Sequence, residues 1–262
     1  MKASVLGIDG KKSGEVELPA AFSEVIRSDL IRRAVIHDQT LRYQPKGPDP
    51  RAGMKTSARY RGRKEDYGSI KNHGIAMLPR EVLPKGKFGK VRIIPSSVKG
   101  RRAQGPHVNK ILVEEINKKE YAKAIRSAIA ATANEASVKG RGHKIDGVKL
   151  PLIIDNKFES VSKTKDAQNI LEALGLTADL ARATIVHKRS GVGSRKGGRI
   201  IPRSALIVVG NNKAAAMRAA RNIAGVDIAV ADKLTAELLA PGTHCGRLTI
   251  YTQSAIDKIA KL

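Results

Sequence analysis

The 262-residue sequence has 49 Lys+Arg against 24 Asp+Glu, a formal net charge of +25 and a pI of about 10.4. At 41% hydrophobic residues it can bury one large core or two smaller ones, and its charge asks for a polyanion, nucleic acid first and an anionic membrane second. A single cysteine, Cys245, excludes a disulfide framework and a cysteine-rich zinc site, and no apolar run approaches the roughly 20 residues of a spanning helix.

The first residues, Met1 to Asp9, are too short and too soon acidic for a secretory signal. No lipidation motif stands at either end, and with Cys245 the only cysteine a reducing cytoplasmic compartment is expected. Ser4–Ile8 and Glu15–Leu18 flank the Gly10–Gly14 turn and predict a β-hairpin outside the main sheet. Ser23–Tyr43 predicts a helix, with Ser23 as N-cap and Val25, Ile26, Leu30, Ile31, Ala34, Val35 and Leu41 at helical spacing.

Residues 42–110 break this pattern. They hold 18 Lys+Arg and four acids (Asp49, Glu65, Asp66, Glu81), hence +14 of the whole-chain +25, with nine of the 24 glycines and seven of the 11 prolines. Such a stretch cannot offset its ordering entropy by burying apolar surface, and it far exceeds an ordinary loop. Four of the eight aromatics lie in it: Tyr43, Tyr60, Tyr67 and Phe88. Aromatics among Arg and Gly suit stacking on unpaired bases, although Tyr43 also reads as the end of the preceding helix.

A second helix is predicted over Asn109–Glu135, with an alanine-rich stripe ending before the turn Gly140-Arg141-Gly142-His143. From residue 150, short apolar runs alternate with helical segments. The strand candidates are Leu152–Ile154, Ala205–Val209, Ile228–Val230 and Leu248–Tyr251; the helices are Lys165–Leu174, Asn212–Ile223, Ala231–Leu239 and Ser254–Lys261. Nearly continuous apolar strands are buried on both faces. The expected fold is therefore α/β: a three-layer α/β/α domain with a mostly parallel four-stranded sheet, plus a long non-globular basic extension. The globular domain is expected to comprise residues 1–44 and 107–262, with 45–106 inserted as the extension.

Little catalytic equipment is legible. Residues 190–203 are glycine-rich and hold Arg195, Lys196, Arg199 and Arg203 with no acid. They lack the Gly-Lys-Ser/Thr ending of a nucleotide-binding loop and lead towards a strand with none clearly before them. Glycine backbone and four cations suit a phosphate of RNA; the other reading is a solvated loop. The six histidines are scattered, and none stands at metal-ligand spacing to Cys, Asp or Glu. Asp155 and Asp232 follow strands, the one pattern in favour of a metal-dependent nucleic-acid-processing enzyme with a basic substrate arm. A free-standing RNA chaperone is the third reading.

Several blocks in order resemble one family: Arg27-Ser28-Asp29-Leu30-Ile31, Val98-Lys99-Gly100-Arg101-Arg102, Arg126-Ser127-Ala128-Ile129-Ala130-Ala131-Thr132, Arg221-Asn222-Ile223-Ala224-Gly225-Val226-Asp227, Leu239-Ala240-Pro241-Gly242 and Gly246-Arg247-Leu248-Thr249-Ile250-Tyr251-Thr252. Together they resemble the universal large-subunit ribosomal protein "L four" family in its archaeal/eukaryotic form, over essentially the whole chain, with the weakest match at residues 55–90. The resemblance implies a structural, non-enzymatic component of the cytoplasmic large ribosomal subunit. Its partners would be large-subunit rRNA and neighbouring ribosomal proteins, with no membrane, cofactor, metal or small-molecule substrate and no homo-oligomer. It implies an extension threading rRNA to the polypeptide exit tunnel, with its tip near Arg59–Gly74. The residues expected on rRNA are Arg42, Lys46, Arg51, Lys55, Arg59, Tyr60, Arg61, Arg63, Lys64, Tyr67, Lys71, His73, Arg80, Lys85, Lys87, Lys90, Arg92, Lys99, Arg101, Arg102 and His107, with Arg195, Lys196, Arg199 and Arg203 in the second loop.

Overall fold

A computed structural model describes residues 2–145 and 147–261, with residues 86 and 88 described by their backbone alone. The chain divides into two compact units, residues 1–42 with 113–262, and residues 43–112.

In chain order the first unit begins with β1 (Lys2–Leu6), β2 (Lys12–Glu17) and α1 (Ser28–Thr40). Within the second unit are β3 (Arg80–Val82) and β4 (Phe88–Val91). The first unit resumes with α2 (Lys118–Ala133), α3 (Glu135–Gly140), β5 (Leu152–Ile154), α4 (Thr164–Ala173) and α5 (Thr177–Thr184). Then come β6 (His187–Lys188), α6 (Val192–Arg195), β7 (Arg199–Ile200), β8 (Leu206–Val209), α7 (Ala216–Ala219), β9 (Asp227–Val230), α8 (Ala236–Leu239), β10 (Thr249–Thr252) and α9 (Gln253–Ile259).

The central sheet has six strands in the order β2-β1-β5-β10-β8-β9. All neighbours are parallel except the edge pair β1–β2. The sheet is thus larger than the four strands expected, because the N-terminal hairpin lies within it. Val5 and Leu6 pair in parallel with Ile153 and Ile154, while the mostly exposed β2 closes the edge.

The period-two geometry of a strand sends successive side chains to opposite faces, and this divides the apolar runs between two cores. Ile153, Leu206, Val208 and Tyr251 face a cluster with α1, α2, α8 and α9. Leu152, Ile154, Ile207, Val209 and Ile250 face another, with α4, α5 and α7. That two-sided burial is the physical reason these strands read as uninterrupted apolar runs.

Local polar groups reset several helix boundaries. The helix expected from Ser23 starts at Ser28, because the Ser127 hydroxyl donates to the Val25 carbonyl (2.9 Å) and accepts from the Arg27 amide (2.7 Å), holding the chain extended there. Ser23 instead donates back to the Ala20 carbonyl. The helix expected from Asn109 starts at Lys118, where the Asn117 side chain accepts from the Lys119 amide and caps it. Between Asn212 and Ile223 only Ala216–Ala219 is α-helical. The Ala231–Leu239 segment splits into a 3-10 turn at Ala231–Lys233 and α8, whose N-cap is Thr235.

Two buried polar centres brace this unit. Arg247, 1% exposed, donates to the carbonyls of Ser204 (3.0 Å) and Leu238 (3.0 Å) and to Asp227 Oδ2 (2.6 Å), joining the chain before β8, α8 and the start of β9. Asp179 is fully buried in α5. It accepts from Ser204 Oγ (2.6 Å), Arg182 Nε (3.0 Å) and the Lys144 amide (3.1 Å), and His143 Nδ1 lies 3.2 Å away. Burial alone would raise the Asp179 pKa, but hydrogen bonds from His143, Arg182 and Ser204 outweigh it and hold the carboxyl well below the ordinary carboxylate range. A carboxylate depressed in the folded state contributes stability above its unfolded pKa of about 4, and that stability is lost as pH falls through the folded value.

Asp179→Ala leaves Arg182, His143, Ser204 and the Lys144 amide without their common acceptor. It should therefore cost about 3–5 kcal/mol of stability at neutral pH, read by urea denaturation of the full chain, and flatten the acid-induced loss of stability below about pH 4. A denaturation midpoint equal to that of the wild type would contradict this role.

Candidate nucleic-acid interface

The second unit is built by backbone passing close to backbone. A Cβ on Gly53 would lie 1.9 Å from the Arg102 carbonyl oxygen, and one on Gly100 1.8 Å from that of Ile94, so a side chain at either position collides. Arg101 Nη1 donates to the Lys55 carbonyl (3.0 Å). Arg59 and Arg80 exchange a pair of backbone hydrogen bonds of 3.0 Å each, and the Ile70 amide donates to the Arg61 carbonyl (3.0 Å). These contacts are nested: 53 with 102 encloses 55 with 101, then 59 with 80, then 61 with 70. The chain therefore runs out and back against itself, with the antiparallel β3–β4 hairpin on the returning limb.

This arrangement has almost no core. Among the described residues of 43–112, the buried large apolar side chains are Ile70 and Ile94. Each contributes about 1.5–3 kcal/mol, while fixing a residue's backbone costs about 1–2 kcal/mol. Two isoleucines thus offset the ordering of a few residues, in a unit of about seventy.

Of the residues expected on RNA in this stretch, Arg61 and Arg80 are half-buried and the remainder are exposed. Some are engaged internally. Lys55 pairs with Asp49, Arg92 with Glu81 and Arg42 with Glu237. Arg80 Nη2 donates to the Ala76 carbonyl (3.0 Å), and its buried Nε meets no acceptor. Tyr60 and Tyr67 are exposed residues (50% and 75%) whose hydroxyls are tied to Met77 Sδ and the Lys85 carbonyl. An exposed face with an anchored edge is the geometry a stacking platform uses. The Phe88 side chain lies outside the described residues.

In the first unit, residues 187–200 form a small ribbon. His187 and Lys188 pair antiparallel with Ile200 and Arg199, so a short strand does precede the glycine-rich turn. Gly191 and Gly197 turn the tip at positive φ (61° and 82°). Arg195, Lys196 and Arg199 are exposed on this ribbon. Arg203 lies at its base, its Nη1 donating to both carboxylate oxygens of Asp227 (2.7 and 2.9 Å), and so joins the Arg247 centre. Sequence reasoning passed over Lys188 and Arg189, which are exposed on the opposing limb. They fall in a segment whose average charge is modest, and strand pairing is what brings them beside Arg199. It also passed over the helical spacing of Lys119, Lys123 and Arg126, which line a cavity with Lys118 and Glu24 where Arg126 Nε is buried without an acceptor.

Asp155 and Asp232, the acids an enzyme reading needs, are not brought together. They follow β5 and β9, which two other strands separate, and they pair with Lys157 and Lys258.

Since Gly53 is where the two limbs touch most closely, Gly53→Val should lower the affinity of the full chain for RNA about tenfold, or about 1.4 kcal/mol. The thermal unfolding of the first unit should not change. An unchanged affinity in filter binding would show that the limbs need not pair in this way.

The chain matches the profile of the "Ribosomal protein L4/L1 family" over residues 16–262. It is 47% identical over 262 residues to "Large ribosomal subunit protein uL4" of Methanococcus maripaludis, covering 99% of this chain and 98% of that one. The same-named protein of Methanosphaera stadtmanae is 46% identical over 264 residues (100% and 97% covered), and that of Archaeoglobus fulgidus 40% over 262 (100% and 99%). Similarity of this extent through both units, the coreless basic stretch included, makes the chain a member of the ribosomal protein L4/L1 family.

Proposed function

We propose that this chain is a structural component of the large ribosomal subunit that binds large-subunit rRNA, with residues 45–106 threading the RNA towards the polypeptide exit tunnel. The observation that supports this most is the second unit itself: +13 of charge within residues 43–112 and two buried isoleucines. Lys and Arg there neutralise phosphates where RNA strands crowd, and counterion release drives the binding. Gly53 lets the two limbs pass close enough to thread as a pair, Gly100 lets the returning limb turn tightly on Ile94, and seven prolines limit the freedom of the chain. Exposed Tyr60 and Tyr67 give faces for unpaired bases. Membership of the family, and the names of its relatives, point the same way.

Sedimentation tests the reading. The protein should travel with large subunits at moderate salt and leave them only as salt is raised; a protein found mostly free in the upper gradient would contradict it. Changing Arg101 and Arg102 together to Ala should weaken rRNA binding and reduce the slope of log affinity against log salt by about one to two. An unaltered slope would mean that these two side chains are simply solvated.

A further inference from the structure

A cavity of about 640 Å³ opens in the first unit at the base of the β6–β7 ribbon. Arg141, His143, Arg182, Arg203 and His244 contribute to its lining, and no Asp or Glu does. The arginines are fixed from behind. Arg141 donates to the carbonyls of Pro241 and His244, Arg182 to Asp179 and to the Arg203 carbonyl (2.7 Å), and Arg203 to Asp227. Burial, with the neighbouring cations Arg247 and Arg182, pushes the Arg141 pKa down to about 10. It stays charged at neutral pH, in a setting that a bound anion would relieve. Ile200, Ile201 and Pro202 give the cavity an apolar wall, and Ile200 and Ile201 there are 44% and 50% exposed.

Fixed guanidinium groups suit phosphate, and an apolar wall beside them suits the face of a base. The volume falls in the range of pockets that hold small organic ligands, about 300–1,000 Å³. The chain passes from Arg199 on the ribbon to Ile200 in the cavity lining. We propose that this cavity receives a single unstacked nucleotide of RNA, its phosphate against the arginine cluster and its base against Ile201 and Pro202. The inference rests on the reading that the chain binds RNA, and it adds a site in the globular unit that is independent of residues 43–112.

The probes are a single-stranded hexauridylate and a blunt RNA duplex, each titrated against the full-length chain. Ile201→Glu places a carboxylate in the cavity at a half-exposed position that folding does not depend on, which an unchanged melting temperature checks. The variant should bind hexauridylate at least tenfold more weakly and the duplex within twofold of the wild type. In the wild type, hexauridylate should slow hydrogen exchange at residues 137–145, 200–203 and 241–245. Equal hexauridylate affinity in the variant, equal losses on both RNAs, or protection confined to 43–112 would overturn the proposal. So would a hexaglutamate peptide that protects the cavity segments at lower concentration than hexauridylate, which would make the site a dock for an acidic protein segment. A wild-type chain that bound neither RNA would instead remove the RNA-binding reading as a whole.

Discussion

Mutual repulsion among eighteen cations within residues 42–110, opposed by four acids and two buried isoleucines, is the constraint around which this protein is organised. Two of the acids, Asp49 and Glu81, are already paired to Lys55 and Arg92, so internal neutralisation accounts for only part of the charge. The out-and-back path of this unit is set by the close approach of Gly53 to Arg102 and by a few hydrogen bonds between limbs. Those contacts fix the course of the chain without supplying the burial that holds it there. On the function proposed above, RNA phosphates supply what is missing, since they would neutralise the side chains and fill the space beside them.

The first unit solves the opposite problem. Its sheet is covered on both faces, and two of its buried charges are matched: Arg247 to Asp227, and Asp179 to His143, Arg182 and Ser204. These two centres meet at residues 203–204, where the β6–β7 ribbon returns to the sheet. A basic ribbon and a cationic cavity thus stand on the most heavily braced backbone of the unit. The bracing fixes the arginines before a ligand arrives, so less side-chain entropy is lost on binding.

Much of the fold is legible in the sequence because its strongest signals are local. Leu206 to Val209 is apolar at every position, and only two-sided burial explains that. What is not legible depends on partners distant in the chain. Ser127 holds residues 25–27 extended and delays α1, although the periodicity of residues 23–43 alone looks helical throughout. The pairing of Val5 with Ile153 draws the N-terminal hairpin into the sheet, which nothing within residues 1–18 signals. Composition likewise singles out residues 42–110 but cannot rank their cations; among the described residues, the structure gives Arg42, Lys55 and Arg92 carboxylate partners. Arg141, Arg182 and Arg203 lie far apart in sequence, and only the fold makes them a cluster.

Amide hydrogen exchange across residues 50–105, in the free chain and in the large subunit, tests the central claim most directly. If RNA supplies the order of this unit, its amides should exchange at nearly unprotected rates in the free protein while those of β5, β8 and β10 stay protected, and they should become protected on assembly. Strong protection of residues 50–105 in the free protein would contradict the account, because the unit would then hold itself together without a polyanion.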